Sequence, residues 1–159
     1  MSVSTDLVRT WWRPRAILRQ HLARGRSEPF ALSFLLIFLT LAFIGQWPGA
    51  ARDAFLNGEA SAWPRILPTA YGLLAAIPFL YGLAALGHLA ARAMGGQGSW
   101  YGARLALFWA LATVGPLILL QGLVSGMIGP GPALSAVTLV VGLAFLWLWA
   151  TLLHEAERG

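Results

Sequence analysis

Two long apolar stretches, residues 69–91 and 105–128, are joined by a short glycine-rich segment bounded by Arg92 and Arg104, and no other feature restricts the fold as much. Each stretch is long enough to cross about 30 Å of hydrocarbon at roughly 1.5 Å per helical residue. The segment between them, with Gly-Gly-Gln-Gly at its centre, is therefore expected to be a loop between two membrane spans. Composition agrees: 58% of the 159 residues are hydrophobic and 11% are charged, less than half of the roughly 25% charged share of a soluble domain. The expected fold class is all-α: a polytopic membrane protein with a four-helix transmembrane bundle and an N-terminal amphipathic arm. The length allows one compact bundle and no second domain.

The chain divides into a cytoplasmic arm (1–29), the bundle (30–153) and a short polar tail (154–159). Residues 30–47 form the first span, which Pro48 and Gly49 are expected to end. This run exceeds the roughly 7 to 15 apolar residues of a signal core, and its basic flank is long, so it reads as an uncleaved anchor. Residues 51–56 are expected to make a short helix on the far surface, where Trp47 and Trp63 mark the interface. The last span, 133–153, follows the tight turn from Gly129 to Pro132. Pro78 and the pair Gly115-Pro116 fall near the middle of the second and third spans, and both helices are expected to break there. Gly122 and Gly126, four residues apart, allow close backbone approach, as do Gly72 with Ala76 and Gly87 with Ala91.

The arm carries Arg9, Arg13, Arg15, Arg19, Arg24 and Arg26 against Asp6 and Glu28. Thr5 or Asp6 can cap a first short helix, and Pro14 suits the first turn of a second. Ile17, Leu18, His21 and Leu22 then form one stripe while Arg15 and Arg19 lie on another, the pattern of an interfacial helix. An arm folded back on the bundle is compatible with the same pattern. Trp11, Trp12, Arg13, Arg15 and Arg19 are the expected contacts to anionic lipid or a protein partner, together with Arg92 and Arg104 at the hairpin. The far-side segment balances Arg52 and Arg65 with Asp53 and Glu59, and the turn from Gly129 to Pro132 carries no charge. The positive-inside rule thus puts both termini and the hairpin in the cytoplasm. The net charge of +5 does not indicate nucleic acid, because the arginines cluster beside spans.

At the hairpin, the run from Arg92 to Trp100 is followed by an aromatic-rich helix with a central proline, Phe108 to Pro116. This arrangement resembles the core signature of the Yip-one family, the Ypt/Rab-interacting membrane proteins, in its bacterial branch. Pro14-Arg15 ahead of the first span is similar as well. The resemblance implies a small polytopic helical protein of the inner membrane that is not an enzyme, with an organising or adaptor role. Eukaryotic relatives act with small GTPases in membrane traffic, but no residue here matches a GTPase contact. Members of that family usually have five spans, whereas this chain shows four, an arm and a far-side segment.

No chemistry-bearing motif competes with that reading. The chain has no cysteine, which excludes disulfides, thiolate metal sites and cysteine nucleophiles. No HExxH motif, paired intramembrane acids or phosphate loop with lysine is present, so no metal or other cofactor is expected. His154, Glu155 and Glu157 read as a solvated tail, and His88 as a hydrogen-bonded packing residue near the end of the second span. The alternative function is a small-solute channel or transporter subunit built on the two proline-broken helices, which are roughly mirrored about the hairpin. His88 and Gln121 would then belong to an intramembrane polar site.

Overall fold

A computed structural model describes residues 3–158, all-helical apart from short links. Two short helices, α1 (Val3–Thr10) and α2 (Pro14–Leu22), form the arm; α3 (Glu28–Leu56), α4 (Trp63–Ala93), α5 (Trp100–Met127) and α6 (Pro132–Ala156) are each long and apolar enough to cross a membrane. The expected all-α bundle of four spans is therefore present.

The helix boundaries differ from those read off the sequence, and proline explains most of the difference. Pro48 lies inside α3, which continues to Leu56, so the expected short far-side helix is simply its last turns. Pro78 and Pro116 likewise lie inside unbroken α4 and α5, and α4 also accommodates Pro68. A proline removes one N–H and crowds one preceding carbonyl, which bends a helix without ending it when its neighbours leave room. At Pro48 that room is made by Gly126 of α5, where a Cβ would collide with the proline ring and its carbonyl. The tail is not solvated throughout, as the sequence leads one to expect. α6 runs on to Ala156, and Glu155 and Glu157 are buried while His154 is exposed.

α5 is the centre of the molecule. From Tyr101 to Gly115 every residue except Arg104 is buried, as expected for a helix apolar on all sides. Four walls enclose this half. α3 supplies Ala31, Phe34, Leu35 and Leu39; α4 supplies Ala84; α6 supplies Leu148, Leu152 and Ala156; the arm supplies Ile17 and Leu18. Beyond Pro116, α5 is partly exposed and is held chiefly by a close crossing with α3. There a Cβ on Gly122 would overlap the backbone of Gly45, and a Cβ on Gly49 would sit 2.7 Å from the Ser125 hydroxyl. The sequence Gly45-Gln-Trp-Pro-Gly49 is thus the partner of Gly122 and Gly126, whereas Gly72 meets nothing.

The opposite end is closed by the links between α3 and α4 and between α5 and α6. Arg65 donates two hydrogen bonds to the Glu59 carboxylate, at 2.9 and 2.6 Å, which hold that carboxyl below its ordinary range. Trp47 and Trp63 pack edge to face with centroids 5.1 Å apart.

Candidate contact site at the arm end

The arm, the hairpin and the end of α6 meet at one end of the bundle, around Glu157. α4 stops at Ala93 in a Schellman arrangement: Gly95 takes a φ of +94°, and Gly96 N–H donates to the Ala91 carbonyl at 2.9 Å. Gln97 N–H then donates to the Glu157 carbonyl at 2.8 Å, and Gly98 N–H to its carboxylate at 3.1 Å. A Cβ on Gly98 would run into the backbone of Ala156 and Glu157, so the glycine run is needed for this close approach. Ser99 caps α5 by accepting from Gly102 N–H at 3.1 Å. The other Glu157 oxygen lies 2.6 Å from His88 Nδ1, both side chains being buried. His88 thus has a buried carboxylate partner, and its ring lies 4.4 Å from that of Trp100.

A second set of contacts fastens the arm to α5 and α6. Trp109 is fully buried and donates from Nε1 to Thr10 Oγ1 at 3.0 Å; Thr10 in turn donates to the Asp6 carbonyl at 2.7 Å. His21 sits against Phe30, Phe34 and Trp109, with ring centroids 5.5, 5.7 and 4.4 Å away. Burial, helped by the Arg24 charge and opposed by that of Asp6, holds the imidazole below its ordinary value. Arg19 donates to Glu155, a charge-assisted bond that raises the guanidinium further above its own ordinary value.

The residues expected to contact lipid or a partner separate into two groups. Trp12, Arg13, Arg15 and Arg92 are exposed. Trp11 packs on the core, Arg19 is engaged by Glu155, and Arg104 is paired with Glu28 and lies over the Tyr81 ring. Ile17 and Leu18, the stripe expected to enter lipid, face the bundle instead, because α5 and α6 offer them a complementary apolar surface. His88 and Gln121 do not come together: His88 is at the arm end, whereas Gln121 donates to Thr138 on α6 in the other half, at 2.9 Å. Thr113 spends its hydroxyl on the Trp109 carbonyl at 2.8 Å, so no midplane polar cluster forms among these groups.

Two concavities open at this end. One of about 740 Å³ lies between the ends of α4 and α6, with Ala91, Met94, Trp149, Leu153 and Arg158 in its walls. The other, of about 450 Å³, lies between the α1–α2 link and α6. Thr10, His21 and Trp109 were not singled out as a contact set; His21 was legible only as part of the arm's stripe, and the Thr10–Trp109 bond spans 99 positions with no local signal. No family model matches the chain, and no curated protein and no solved structure matches it.

Proposed function

We propose that the protein is a non-enzymatic multi-pass membrane protein of the Yip-one type, resident in a bacterial inner membrane. In this reading the arm, hairpin and C-terminal end are cytoplasmic, and the arm end presents a contact surface to anionic lipid or to a membrane protein partner. The observation that carries the proposal is the filling of the arm-end half: Tyr101 to Gly115 is enclosed by apolar side chains of α3, α4, α6 and the arm. A scaffold needs such a dry, fixed core, and a solute path needs polar groups along its length. The channel or transporter alternative rested on discontinuous helices, and α4 and α5 are continuous.

Charge supports the orientation. Nine of the eleven arginines and four of the six acids lie at the arm end, so the whole net charge of +5 resides there and the opposite end is neutral. Purified protein reconstituted into liposomes is expected to show no ion or small-solute flux above that of empty vesicles, and single cysteines after Gln97 and after Gly58 are expected to label from opposite sides. Flux that disappears in His88→Ala would overturn the scaffold reading. Labelling of both positions from one side would overturn the topology.

A further inference from the structure

The cleft between the arm and α6 is lined by Trp12, Arg13, Arg15, Arg19, Trp147 and Thr151. We propose that it binds one anionic glycerophospholipid, with the phosphate among the arginines and an acyl chain along the outer face of α6. The proposal rests on the membrane placement argued above and adds a stoichiometric site to it.

Charge is the first argument. Three arginines line the cleft, and the only acid tied to any of them among the described residues is Glu155, which is bonded to Arg19 and also lies within the field of Arg15, so the rim keeps a net positive charge. Arg13 and Arg15 are left exposed and without a salt bridge among the described residues. Arginine's planar fork matches phosphate oxygens two at a time. Thr151 does not compete for the headgroup, because its hydroxyl donates to the Trp147 carbonyl at 2.8 Å.

The second argument is the shape of what lies below the arginines. Leu139, Leu143, Trp147 and Thr151 follow one another at four-residue spacing, which aligns them on one helix face. The first three are 63%, 57% and 50% exposed. From Leu139 to Thr151 the face is about 18 Å long, close to the roughly 15 Å depth of one leaflet's hydrocarbon. A basic rim above an apolar track of leaflet length selects an amphiphile with a negative head, and a free phosphate would leave the track empty. Trp12, 83% exposed, and Trp147 stand where indole rings favour the headgroup layer. Ile17 and Leu18 face the bundle, and of the large apolar side chains left exposed among the described residues of the arm, Val8 and Trp12, Trp12 lines the cleft.

The test uses full-length protein in a zwitterionic detergent, offered equimolar phosphatidylglycerol and phosphatidylcholine and read by native mass spectrometry. The wild type is expected to retain one phosphatidylglycerol per chain in preference. R13Q/R15Q is expected to weaken that binding about twenty-fivefold, at about fivefold for each guanidinium near an anionic surface. R24Q/R26Q removes the same charge outside the cleft and is expected to keep the preference. Trp147→Ala, altered on the α6 side only, is expected to weaken binding, and it decides the matter if R13Q/R15Q proves less stable. Equal retention of both lipids by the wild type would overturn the site, as would equal losses in the two double variants, since binding would then follow net charge. Displacement by millimolar glycerol phosphate would overturn the lipid as occupant. None of these outcomes touches the flux and labelling results, which report on the scaffold role and the topology separately.

Discussion

Three groups from two segments, α4 and the hairpin, depend on the side chain and carbonyl of Glu157. Its carboxylate meets His88 and the Gly98 amide, and its carbonyl takes the Gln97 amide. Glu157→Ala strands the His88 ring and an amide at about 1–3 kcal/mol per buried unsatisfied group. The solubilised variant is expected to unfold at lower temperature and to be cleaved by protease within residues 95–99; unchanged cleavage would show that the hairpin holds itself. His21 supplies a pH dependence of defined sign. Its folded pKa lies below the ordinary 6.5, so as pH falls through about 6.5 the unfolded chain takes up a proton that the folded chain refuses. Stability contributed by neutral His21 is therefore complete above that pH and declines below it. The groups that set this balance are Asp6 on α1, Arg24 after α2, and the rings of Phe30, Phe34 and Trp109. Thermal midpoints of the wild type and His21→Leu, measured from pH 7.5 to 5, are expected to converge as the pH falls. A constant difference across that range would remove His21 as the cause.

Helices α3 and α5 cross backbone to backbone, and this crossing is where element-level pattern was most and least informative. Gly122 and Gly126 read as a close-packing pair, but their partners Gly45 and Pro48, and Gly49 against Ser125, read as the end of a span. A proline followed by glycine has the same local signature whether it stops a helix or fits against a neighbour, and only the neighbour decides. The arm shows the same limit. Its stripe at helical spacing says that one face is buried, and says nothing about whether lipid or protein covers it. Glu155 and Glu157 depart from the expectation that acids beyond an apolar run end in water, because here Arg19, His88 and the Gly98 amide receive their carboxylates. Gly122→Leu places a side chain against the Gly45 backbone, and overpacking of this kind typically costs about 1–3 kcal/mol. Gly72→Leu, at a position with nothing within 4 Å, is the matched control and is expected to leave the melting temperature unchanged. Equal effects of the two substitutions would mean that helix propensity, and not the crossing, was being measured.

At the scale of the whole molecule, the two halves of the bundle are built differently. The far half is a glycine crossing flanked by helices whose outer faces are apolar and exposed, and the arm-end half is a filled core around Tyr101 to Gly115. The arm is one wall of that core, since Leu18 and Thr10 are fully buried and Trp109 bonds to Thr10. An arm held by a membrane surface and an arm held by its own bundle make different demands on the surroundings. Surface adsorption depends on anionic lipid and weakens as salt screens the arginines, whereas docking through Ile17, Leu18 and His21 depends on neither. Amide hydrogen exchange of the full chain in a zwitterionic detergent without lipid separates the two. Residues 14–22 are expected to be protected to an extent that does not change between low and high salt. Trp109→Ala removes the ring beneath His21 and the bond to Thr10, at a cost of about 3–5 kcal/mol for a buried tryptophan, and is expected to release that protection while leaving the α3–α5 crossing protected. Arm amides that exchange freely in the wild type until anionic lipid is added would instead make the arm a surface element, with the bundle's core closed by lipid on that side.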